Sequence, residues 1–351
     1  MERDNIVKKG SKYLSAIIPS IAFCVLILDA KTALKGAQDG ITLSLYSVIP
    51  SLFPFIVISL IFNAALAGKK FRLLQPICRL CGIPAGMESI LLLGFLGGYP
   101  IGAQSVNDAY THGCIPRTSA QRLLGFCNNA GPAFIFGIVG NLFTDLGTVW
   151  WLWGIHILSA LTVGFLLPDK NTVCRSSTPG DPLPLPKALE NAAKIMAGIC
   201  GWVILFRVII SFCTKWFLWA FSPPFQALFS GVLELTNGIH ALLEIPLQGQ
   251  RFVFTAVILA FGGICVSMQT IHVTHNLGAG LYFPGKIMQT MISLVLSGAV
   301  QYFIFPDEQV LHIPIYIFLI CMLLLCLTCF YLHCRKKVVA LPKQMLYNVG
   351  K

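Results

Sequence analysis

The chain is predicted to be an all-α polytopic membrane protein, an inverted repeat with two re-entrant hairpins and two broken transmembrane helices. Three observations lead there. Hydrophobic residues fill 56% of the 351 positions and charged residues only 11%, whereas soluble domains carry about 25% charge. Apolar runs long enough to cross a bilayer recur along the whole chain, with basic clusters at their ends. Two stretches, GGYPIGAQ (Gly97 to Gln104) and NNAGPAF (Asn128 to Phe134), place helix breakers and uncharged polar side chains inside such runs. Unwound backbone at membrane depth is tolerated only where protein buries it or water reaches it, so breaks of this kind line solute or ion paths.

Lys8, Lys9 and Lys12 precede an apolar run from Leu14 to Leu28, which reads as an uncleaved first helix because further spans follow. The later runs are Ile41 to Ala67, Ser89 to Val106, Leu123 to Phe143, Leu146 to Leu167, Ala192 to Phe212, Phe225 to Ile245, Phe252 to Val273, Pro284 to Phe305 and Ile313 to His333. Ser89 to Val106 and Phe225 to Ile245 are short or broken enough to enter and leave on one side. With both as hairpins, Lys69, Lys70, Arg72 and Arg79, then Lys170, Arg175 and Lys187, then Arg335, Lys336 and Lys337 all fall on the cytoplasmic side. Both termini are then cytoplasmic, and Asp145, Asp307 and Glu308 lie outside.

Each half now reads as a span, a hairpin, a broken span and a full span, the second half turned over. The expected divisions are 1–39 for the first helix, 40–167 for the first repeat, 168–187 for a proline-rich cytoplasmic linker, 188–305 for the second repeat and 306–351 for a last helix and basic tail. GGYPIGAQ resembles GGICVSMQ at Gly262 to Gln269, but the charge clusters pair it instead with ELTNGI at Glu234 to Ile239.

The net charge of +11 sits in short clusters beside apolar runs, as topology signals do, and does not point to nucleic acid. Most of the thirteen cysteines lie in apolar runs, and Cys78 and Cys81 form a lone CxxC without a second pair at zinc spacing. His272 and His275 share a helix face without a matching acidic or thiol ligand, so no metal is expected. No nucleophile elbow, phosphate loop or HExxH is present, so neither enzyme chemistry nor ATP driving is expected, and no cofactor.

Four breaks carry the candidate solute site. In the first hairpin, Gly98, Tyr99, Pro100, Gly102 and Gln104 stand at or beside the tip; Tyr99 is suited to stacking on an aromatic solute or to anchoring at the membrane interface. In the span after it, Asn128 and Asn129 supply amides, Gly131 admits another backbone and Pro132 keeps the helical ladder open. A proline kink capped by asparagines is the plainer reading. In the second hairpin Glu234, with Thr236, Asn237 and Gly238, is either a functional intramembrane carboxylate or a wet one near the outer surface. Arg207 is its ion partner or a snorkelling side chain. The last break adds Gly263, Ser267 and Gln269.

At GGYPIGA, NNAGP, ELTNGI and FGGICVSMQ, in that order, the chain resembles the sporulation integral membrane proteins of the YlbJ type, also called SpoVV. These belong to the nucleoside-recognition or Gate group, similar in architecture to concentrative nucleoside transporters. The resemblance implies a secondary carrier that passes dipicolinic acid across the outer forespore membrane of an endospore former by alternating access. It points to the residues already named in the two hairpins and the first broken span. Nucleoside carriers of this architecture place acidic residues at both tips, while the first tip here has none, which fits an anionic solute. The coupling ion, sodium or proton, is left open, as are a nucleoside or nucleobase cargo and a non-transporting assembly role. The expected partners are a small-molecule solute and the lipid bilayer; a homo-oligomer or other sporulation membrane proteins remain alternatives.

Overall fold

The computed structural model describes residues 17, 19–66, 69, 71–167, 183–274 and 277–308. Among these residues no strand occurs, and five helical stretches are long and apolar enough to cross a membrane: Ala30–Leu66, Leu146–Leu166, Leu185–Trp216, Gln248–Val273 and Tyr282–Ile304. The protein is a polytopic all-α membrane protein. Lys8, Lys9 and Lys12, the linker from 168 to 182, His275 and the run Ile313 to His333 with its basic tail lie outside the described residues.

Helix α1 (Pro19–Leu28) leads to Asp29, whose carboxylate accepts from the Thr32 N–H and caps α2 (Ala30–Leu43). A π-helical turn (Ser44–Val48) joins α2 to α3 (Ile49–Leu66). The stretch between the apolar runs Leu14 to Leu28 and Ile41 to Ala67 is therefore largely helix. Its sequence AKTALKGAQDGITL puts Gly36 and Gly40 on one face, and that face is buried against α10 (Leu185–Trp216). A Cβ on Gly40 would stand 2.8 Å from the Ile204 Cα, so only glycine permits this approach. At 1.5 Å per residue the 37 residues of Ala30–Leu66 extend roughly 55 Å, well beyond a hydrocarbon core of about 30 Å. Helix α10 runs antiparallel beside them: Asp29 pairs with Lys215 and Asp39 with Arg207, while Val48 and Ile56 pack with Ala188, Ala192 and Met196.

After the short α4 (Gln75–Leu80), helices α5 (Glu88–Leu96) and α6 (Ile101–Thr111) form a folded-back pair. A Cβ on Gly102 would lie 3.1 Å from the Gly94 Cα, although eight residues span about 12 Å in a continuous helix. Next come α7 (Arg117–Leu123), an irregular stretch through Gly131, α8 (Pro132–Gly137) with a 3-10 turn (Val139–Leu142), and the full span α9 (Leu146–Leu166). Beyond α10 lies a second folded-back pair, α11 (Pro223–Leu233) and α12 (Leu235–Ala241), where a Cβ on Gly238 would overlap the Gly231 Cα. Helices α13 (Gln248–Phe261) and α14 (Gly263–Val273) and the full span α15 (Tyr282–Ile304) complete the described order.

The breaks are narrower than the sequence suggests. Thr236, Asn237 and Gly238 belong to α12, because the Glu234 carboxylate caps that helix at once and only Glu234 itself is extended. Ser267 and Gln269 belong to α14, since the left-handed pair Gly262 and Gly263, at φ +80° and +84°, makes the whole interruption. Gln104 likewise lies on α6, beyond the break at Gly97 to Pro100. Two apolar clusters hold these pieces together, one around Leu123, Phe126 and Val163, the other around Leu152, Phe252 and Leu259. Within the first of them the buried Arg122 donates to the Gly164 and Leu167 carbonyls at 2.8 and 2.9 Å, a cation placed at the C-terminus of α9.

Candidate functional site

The breaks meet at one cavity of about 50 Å³, room for a few water molecules. Three kinds of segment line it, each supplied twice. Helix α3 gives Leu52, Phe55 and Ile56, and its antiparallel partner α10 gives Ile199 and Val203. The α5–α6 tip gives Gly97, Gly98 and Tyr99; the α11–α12 tip gives Glu234, Leu235 and Thr236. The segments after the two span breaks give Gly131, Ala133 and Phe134 on one side, Val266 and Gln269 on the other.

Backbone proximity explains the glycines. At φ +72° Gly98 lies so close to Gly131 that a Cβ on it would stand 3.0 Å from the Gly131 nitrogen. Gly263 faces the Glu234 backbone in the same way, its added Cβ 3.4 Å from the Glu234 Cα. Gly102 packs against the Cys127 carbonyl and Gly238 against Gly231. These two are packing residues, and Pro100 and Pro132 begin the helices that follow each break.

Glu234 is 2% exposed, which excludes the wet-surface reading. One carboxylate oxygen accepts from the Thr236 N–H at 2.9 Å; the other accepts from the Asn237 N–H and the Asn237 side-chain amide, both at 2.7 Å. Arg207 does not reach it: that guanidinium binds Asp39 at 3.1 Å. Gln269 donates to the Cys265 sulfur at 3.2 Å, and the Ser267 hydroxyl turns back onto the Gly263 carbonyl at 2.9 Å.

The asparagines stand one layer behind the cavity. Asn128 ties three segments, accepting from the Ala103 N–H of α6 at 3.2 Å and donating to the Thr270 hydroxyl of α14 at 2.8 Å. Asn129 donates to the Phe126 carbonyl at 2.7 Å and presents its oxygen to Lys286 at 3.2 Å and to the Gln289 amide at 3.1 Å. Both asparagines are fully buried with these bonds made, which is more than a capped kink requires.

Lys286, Gln289, His156 and Thr270 are the residues the sequence reading missed. Lys286 is 1% exposed on α15; its Nζ lies 2.9 Å from the Gln289 Oε1, 3.5 Å from the Tyr99 hydroxyl and 5.4 Å from the Tyr99 ring centre. His156 on α9 accepts the Ala130 N–H at 3.1 Å, satisfying backbone that the break leaves open. Lys286 carries only a weak signal in the sequence, since a lysine two residues inside an apolar run ordinarily reaches out to the interface. Tyr99 thus has the cavity on one side and a buried cation on the other, and is not an interfacial anchor.

No protein-family model matches the chain, and no solved structure matches it. Among curated proteins it is similar to the sporulation integral membrane protein YlbJ of Bacillus subtilis (strain 168), at 26% identity over 291 residues, covering 70% of this chain and 71% of that relative. The chain is a multi-pass membrane protein homologous to the sporulation integral membrane protein YlbJ.

Proposed function

We propose that this protein is a secondary carrier, not an enzyme, for a small anionic aromatic solute, with dipicolinic acid passing into the forespore as the leading cargo. The observation that carries the reading is the paired construction of the cavity, each segment type from the first half matched by its counterpart from the second. In this reading residues 40–167 and 188–305 are inverted repeats, the α5–α6 and α11–α12 pairs are re-entrant hairpins, and the site alternates its exposure as the repeats rock. The antiparallel course of α3 and α10 supports the inversion. Exposed Trp150 and Trp151 near the start of α9, with Trp216 and Trp219 at the end of α10, support placing those two ends at one interface, taken as the outer one.

Both termini are then cytoplasmic, and the outer forespore membrane is the location that the YlbJ likeness suggests. The architecture is that of the nucleoside-recognition or Gate group. At about 50 Å³ the cavity is smaller than an aromatic solute needs, so in this reading the segments lining it must part for the solute to enter. Purified protein in proteoliposomes should accumulate labelled dipicolinate, with sodium and proton gradients imposed in turn to find the coupling ion. Glu234→Gln combined with Gln269→Ala should abolish uptake while the protein stays folded; unchanged uptake by that variant would remove the proposed site.

A further inference from the structure

We infer that Lys286 is the charge-selecting residue of the cavity, its ammonium held behind Tyr99 to receive a carboxylate of the solute. The inference deepens the carrier reading and rests on it for its consequence in flux; its consequence in binding stands alone. The Nζ has three hydrogen-bonding protons and three neutral oxygens around it, those of Gln289, Asn129 and Tyr99. Among the described residues no carboxylate comes within ion-pair distance of it. A buried cation with only neutral acceptors is poorly compensated for the water it has lost, and a well-packed apolar side chain would serve the fold at least as well.

The surroundings are organised for an incoming anion. Asn129 and Gln289 are held from behind, by the Phe126 carbonyl at 2.7 Å and the His156 carbonyl at 3.4 Å, so that both turn an oxygen toward the Nζ. Tyr99 is the loose partner. Its hydroxyl is 3.5 Å from the Nζ and 3.4 Å from the Leu259 carbonyl, both at the outer limit of a hydrogen bond. Because Tyr99 also lines the cavity, rotating its side chain would open a direct path from the cavity to the ammonium. A carboxylate arriving there would exchange the ammonium's long contact with a neutral hydroxyl for an ion pair. The ligand class is therefore a small planar carboxylate, and its neutral amide is the molecule the site rejects.

The test measures thermal stabilisation of the purified full-length protein in detergent by pyridine-2,6-dicarboxylate and by the uncharged pyridine-2,6-dicarboxamide, for wild type, Lys286→Met and Lys286→Arg. The dicarboxylate should stabilise wild type and Lys286→Arg, and lose at least roughly tenfold in affinity with Lys286→Met. The diamide should not distinguish the three. Equal stabilisation of wild type and Lys286→Met by the dicarboxylate, or stabilisation of neither, would overturn the inference. Lysine-dependent binding without uptake in proteoliposomes would sink the carrier reading alone.

Discussion

The two hairpin tips face one cavity but acquire their charge in opposite ways. At the α11–α12 tip the charge belongs to the tip: Glu234 is satisfied by N–H groups two and three residues ahead of it, so its bonds form as soon as α12 coils. At the α5–α6 tip Gly97 to Pro100 bring no acid or base of that kind, and the charge arrives from α15, held by an asparagine of the first broken span. The first arrangement is local and self-contained. The second exists only when segments far apart in sequence have docked. The Glu234 tip should accordingly matter most for stability, and the Lys286 cluster for what the cavity binds.

Folding back of both pairs is the precondition for either tip, so the largest effect should come from the glycines at their crossings. Gly238→Val, which drives a side chain into the Gly231 backbone, should cost at least about 3 kcal/mol, seen as loss of the monodisperse species on size-exclusion chromatography. Glu234→Ala should lower stability by about 2–3 kcal/mol in thermal denaturation, since it leaves buried N–H groups without an acceptor, and Glu234→Gln should cost less. Lys286→Met should instead be close to neutral, within about 1 kcal/mol in the same measurement, because removing a poorly compensated buried charge offsets the Gln289 oxygen left without its donor. Similar losses for the two charges would erase the contrast between the tips.

Smaller effects sharpen it. Asn128→Ala and Thr270→Val should show a coupling energy of about 1 kcal/mol in a double-mutant cycle, reporting the tie between the two halves. Asp145, the cap of α9 and outside the spans, is held below the usual carboxylate range by the N–H groups of Gly147 and Thr148. Its contribution to stability should be complete above the ordinary aspartate pKa and fade as pH falls through the lower folded value. Asp145→Asn should flatten that part of the acid-denaturation profile.

Legibility followed how local each cause is. The breaks at Gly97 to Pro100 and at Asn128 to Pro132 were readable because breakers inside apolar runs leave few alternatives. Glu234 was readable as a lone carboxylate in such a run. Lys286 stands two residues inside the run from Pro284, where a lysine ordinarily reaches out to the interface, and only packing against Asn129 and Gln289 turns it inward. The helix before Ile41 was hidden for a related reason: its stability comes from Gly36 and Gly40 lying against α10, a contact between residues far apart in sequence. Composition also overstated the breaks, since polar residues such as Thr236 and Gln269 sit on helices while facing the cavity.

The central claim is that helix interruptions from two halves build one cavity reachable from either side of the membrane. Val266→Cys, a small change on the cavity wall, placed in a background without the native cysteines, can be labelled by a membrane-impermeant thiol reagent in oriented vesicles. Labelling from both faces, slowed by dipicolinate, is the predicted result. Labelling from one face only, or from neither with or without solute, would contradict it.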